Sequence, residues 1–80
     1  MTEYTWKYWL PDAGETVADA RPWKTTKCFT EHVVREIAEY LWARERIRES
    51  YRIVAVRPDG FQYAATVDTV SKPSFTVRLG

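Results

Sequence analysis

The chain has one cysteine, one histidine and three glycines in 80 residues, no repeat, and no charge excess of either sign. Cys28, being alone, has no intramolecular disulfide partner. A small scaffold held by disulfides is therefore excluded, and a reducing compartment fits. The formal net charge of +1 provides neither a basic field to hold nucleic acid nor an acidic excess to mimic it. No apolar run approaches the length that spans a bilayer. The start, MTEYTWKYWL, lacks the basic residues and long apolar stretch of a signal peptide. The expectation is a cytoplasmic protein with no membrane contact.

Aromatic mass is what the chain has in quantity: 4 Trp, 5 Tyr and 3 Phe within a composition that is 45% hydrophobic and 29% charged. That is enough apolar material to fold as one domain, residues 1–80. A chain this short buries only about 60% of its unfolded surface. Aromatic side chains, each burying about 150–250 Å², are how so small a core is made adequate. The sign of charge drifts along the chain. Residues 1–40 carry seven acids and five bases, a balance of −2, and residues 41–80 carry four acids and seven bases, a balance of +3.

Hydrophobic period separates the elements. YTWKYWL alternates, with Tyr4, Trp6, Tyr8 and Leu10 on one face and Trp9 on the other, and Pro11 ends it; this is a strand. A short edge strand near Arg21–Thr26 is weaker, because Pro22 confines it to an edge. From Thr30 the period becomes helical: Val34, Ile37, Ala38 and Leu41 form a stripe widened by Val33 and Tyr40, which predicts a helix over 31–47. Thr30 is the expected N-cap, with Phe29 and Val34 placed for a hydrophobic staple. Glu31–Arg35 and Arg35–Glu39 have the spacing of outer-surface ion pairs. Trp42 falls at the edge of the stripe.

Arg57-Pro58-Asp59-Gly60-Phe61 is a type I turn with glycine in the left-handed position, closing a bulged hairpin. Pairing Arg57 with Phe61 sets Ala55 opposite Tyr63, Ile53 opposite Ala65 and Tyr51 opposite Val67. A turn around Lys72-Pro73 leads to a last strand with Phe75, Val77 and Leu79 on one face. The expected fold is α+β in two layers, one helix on one face of an antiparallel sheet of three to five strands, in the order β-(β)-α-β-β-β. Nothing in the chain covers the other face of that sheet.

Four groups of residues invite a functional reading. Asp12, Glu15 and Asp19 are hard oxygen donors, but their spacing does not match a calcium loop. Pro11-Asp12-Ala13-Gly14 is turn chemistry, and Thr16–Asp19 fits a capping box. Neither a metal nor a cofactor is expected. Cys28 and His32 are four apart near a helix start, where a thiol is activated, yet no third group orients the imidazole. No catalytic residue is therefore assigned and an enzyme is not expected. Arg44, Arg48 and Arg52 are the densest basic cluster and could grip a phosphate backbone, with Glu45 and Glu49 interleaved. The uncovered sheet face gathers Trp9, Val54, Val56, Arg52 and Arg78, an aromatic and arginine mixture of the kind found at interfaces.

The segments YWLPDAGETVADA, HVVREIAEYLW, VRPDGFQYAATV and KPSFTV together resemble short uncharacterised proteins of bacteriophages, prophages and other mobile elements. Many of these share a loose P-(D/E)-x-G-E-T-x-x-D-A pattern after a first strand. The matching residues are Pro11, Asp12, Gly14, Glu15, Thr16, Asp19 and Ala20. The helix departs from the pattern in being more basic toward its end. The resemblance supplies no catalytic residue and implies a small accessory protein. The expectation is a non-enzymatic interaction protein that binds a host protein, an anti-defence inhibitor being one version, with the sheet face as the surface. The alternative is a nucleic-acid-binding module using Arg44, Arg48, Arg52 and the sheet aromatics. A bare sheet face and a terminal strand also permit a homodimer.

Overall fold

Alternation in the first ten residues builds β1 (Tyr4–Trp9), and the loop after it contains two short 3-10 turns, Pro11–Ala13 and Val17–Asp19. β2 (Arg21–Thr25), α1 (Thr30–Tyr40), β3 (Tyr51–Val56), β4 (Gln62–Ser71) and β5 (Ser74–Leu79) follow. The computed structural model describes residues 2–71 and 74–79. The expected turn at Lys72-Pro73 lies outside the described residues. All five strands are antiparallel, in the order β2-β1-β3-β4-β5, and the helix packs on one face. This is the expected α+β architecture, with β2 as the edge strand that Pro22 requires.

The register of β3 and β4 is the one the turn dictates: Tyr51 pairs with Val67, Ile53 with Ala65 and Ala55 with Tyr63. Gly60, at φ 92°, takes the left-handed position that a side chain would strain. Its N–H donates to the Arg57 carbonyl at 2.9 Å, and the Arg57 N–H donates to the Phe61 carbonyl at 2.8 Å. Because the period of a strand is two, this register sends Tyr51, Ile53, Ala55, Ala65 and Val67 together into the layer under α1. Val33, Val34, Ile37, Ala38 and Leu41 meet them from the helix, and Trp6, Tyr8 and Leu10 complete the core from β1.

Three local expectations at the helix ends are corrected. The helix begins at Thr30 itself, with extended Phe29 in the cap position and the Val33 N–H donating to the Phe29 carbonyl at 3.0 Å. Phe29 is 66% exposed, so it does not staple to buried Val34. The regular helix stops at Tyr40 rather than 47. One wider turn, Leu41–Glu45, follows and is closed by Arg46 in the left-handed conformation at φ 56°. Ile47 then folds back, its N–H donating to the Leu41 carbonyl at 3.3 Å, and packs against the core. Arg48 closes the end further, donating to the Trp42 carbonyl at 3.2 Å with its guanidinium 3.9 Å from the Trp42 ring centre.

On the helix surface Glu31–Arg35 forms at 3.3 Å. Arg35 also donates to the main-chain carbonyl of Phe75 in β5 at 3.1 Å, so its reach is to the sheet rather than to Glu39. Trp23, on β2, covers the flank of the core. It donates from Nε1 to Glu36 at 3.0 Å and meets Tyr40 edge-on at 5.3 Å.

Candidate interaction surface

The acidic loop is fully employed in holding the chain. Continuing the β1–β3 pairing beyond Trp9 and Val54 would set Pro11 opposite Arg52. Proline begins a turn there, and Asp12 takes over the ladder. Its carboxylate accepts from the Arg52 N–H at 2.9 Å and from the Arg52 guanidinium at 3.0 and 2.9 Å. These bonds, the backbone one first, hold the Asp12 carboxyl below its ordinary range. Glu15 accepts from the Leu10 N–H at 2.9 Å and pairs with Arg21. Asp19 accepts from the Thr16 N–H at 2.9 Å while Thr16 accepts from Ala18, a complete capping box. Among the described residues no three His, Cys, Asp or Glu side chains gather as a metal site.

The uncovered sheet face has less free aromatic and arginine surface than an alternating pattern suggests. Trp9 is only 8% exposed, and Val54 and Val56 are half-buried. Arg52 is held by Asp12, and Arg78 is held by Asp68 at 2.6 Å. Trp9 is the face's one aromatic among the described residues, so no ring lies open there for a base to stack on. The arginine cluster is also dispersed: Arg52 belongs to the Asp12 ladder, whereas Arg48 lies over Trp42, which in turn meets Phe75 edge-on at 5.5 Å. Arg44 is exposed in the wide turn Leu41–Glu45 that precedes both.

Three exposed apolar side chains gather at the end of the sheet where α1 begins, while Val17, at 62% exposure, and Tyr40 stand apart from them. Phe29 precedes the helix, Phe61 closes the β3–β4 hairpin at 58% exposure, and Leu79 ends β5 at 48%. Phe29, Tyr63 and Leu79 share an open groove of about 520 Å³ with Thr30, Glu31 and His32 of the first helical turn. The Phe61 ring leans on Tyr63 at 4.9 Å, and the Phe29 ring meets His32 edge-on at 5.5 Å, so the apolar surface is continuous. Beside it, Tyr4, Trp6, Cys28 and the hairpin turn Arg57–Asp59 line a cleft of about 280 Å³. Cys28 is exposed to this cleft and His32 to the neighbouring groove.

The periodicity of the sequence does not reveal this surface, because its members lie far apart in the chain and the sequence suggests other uses for two of them: a staple for Phe29, which does not form, and a hairpin for Phe61. The one signal that points to it is the presence of phenylalanine at two loop positions, where polar residues are usual.

No family model, curated protein or solved structure matches the chain. Among the described residues, no helix is long and apolar enough to cross a membrane.

Proposed function

We propose that this protein is a non-enzymatic interaction module that binds another protein through the apolar end formed by Phe29, Phe61, Tyr63 and Leu79. The observation that carries this reading is the exposure of Phe29 and Leu79 in one groove, with exposed Phe61 leaning on Tyr63 in its wall. Aromatic side chains that stand in water without structural employment are the usual anchors of protein interfaces. Asp12, Glu15 and Asp19 and the outer-face arginines Arg52 and Arg78 are all engaged within the chain, which makes these groups poor anchors for a partner. The outer sheet face, with Val54 and Val56 half-exposed, is a broad neighbouring surface of lower apolar content. The role of an accessory protein of phages or mobile elements, acting on a host protein, rests on the Pro11–Ala20 residue pattern alone.

In-cell photo-crosslinking tests the proposal. A photoreactive phenylalanine analogue at position 61 is expected to capture a protein, and Phe29→Asp is expected to abolish the adduct. The same analogue at Thr5, on the outer face, serves as the control. Equal capture from both positions, or none from position 61, sinks the reading.

A further inference from the structure

We draw no further inference here: the strongest candidate, the cleft between Tyr4, Trp6, Cys28 and the Arg57–Asp59 turn, holds a lone cysteine, an arginine already paired with Asp59 and a Trp6 indole N–H buried out of a ligand's reach, and nothing in the structure shows what would fill it.

Discussion

The two ends of the sheet are built from opposite materials. At the end holding the Leu10–Arg21 loop, polar side chains are on the surface but occupied: Asp12 on Arg52, Glu15 on Leu10 and Arg21, Asp19 on Thr16. At the end where the helix starts, phenylalanines and a leucine are on the surface without comparable work. The loop end has the residue types of a site and is scaffold. The helix-start end has the residue positions of a hairpin and a cap, and it gathers three exposed large apolar side chains.

That contrast can be broken or sharpened by experiment, beginning with the largest effect. Tyr51 lies at the loop end beside Leu10, Asp12 and Ile47, and its buried hydroxyl has no protein partner. Burial first, then the neighbouring Tyr8 phenol, pushes its pKa up to about 12. Below pH 10 both folded and unfolded chains hold this proton. Between pH 10 and 12 the unfolded chain releases it and the folded chain retains it, so stability falls as pH rises, by about 2–3 kcal/mol for this group. Urea unfolding at stepped alkaline pH measures the loss, and Tyr51→Phe should remove it. A Tyr51→Phe profile superimposable on the parent's would reject the assignment.

Next in size is Glu15→Ala. It unpairs the Leu10 N–H and Arg21 together, and a charge-assisted pair of this kind contributes about 1–3 kcal/mol. A midpoint shift in chemical denaturation reads this directly, and no shift would mean that the loop end is not scaffold. Arg46→Gly should act in the opposite sense. It relieves a left-handed arginine and stabilises by about 1 kcal/mol, visible as a raised melting temperature. The smallest effects belong to the apolar end. Phe29→Ser and Phe61→Ser should each change stability by no more than about 0.5 kcal/mol while abolishing binding. A large loss of stability in either would place that side chain in the scaffold and erase the contrast.

How much of the fold was legible in the sequence depended on the range of the interactions. The β3–β4 register follows from five contiguous residues, because the turn type sets the pairing and the pairing sets every face. The helical stripe from Val33 to Leu41 is equally local. The expected end of the helix at 47 was misleading for a physical reason. Ile47 is apolar at a helical spacing, but it reaches the core by folding back through Arg46 rather than by another turn of helix.

The candidate surface was less legible. Trp9, Val54, Val56, Arg52 and Arg78 were expected on one face, and the pleat does place them there. Alternation says which way a side chain points, not whether a neighbour covers it or pairs with it. Asp12 reaches Arg52 across 40 positions, and Asp68 reaches Arg78 across the hairpin.

By itself the sequence determined the element types, the hairpin register, the capping box at Thr16–Asp19 and the two-layer arrangement, all of which depend on short-range periodicity and turn chemistry. Only the tertiary structure decided which polar groups are satisfied internally and which apolar ones are left over. Both depend on contacts between segments far apart in the chain: Phe29, Phe61 and Leu79 become one surface because two connections and the end of β5 fall on the same side of one sheet.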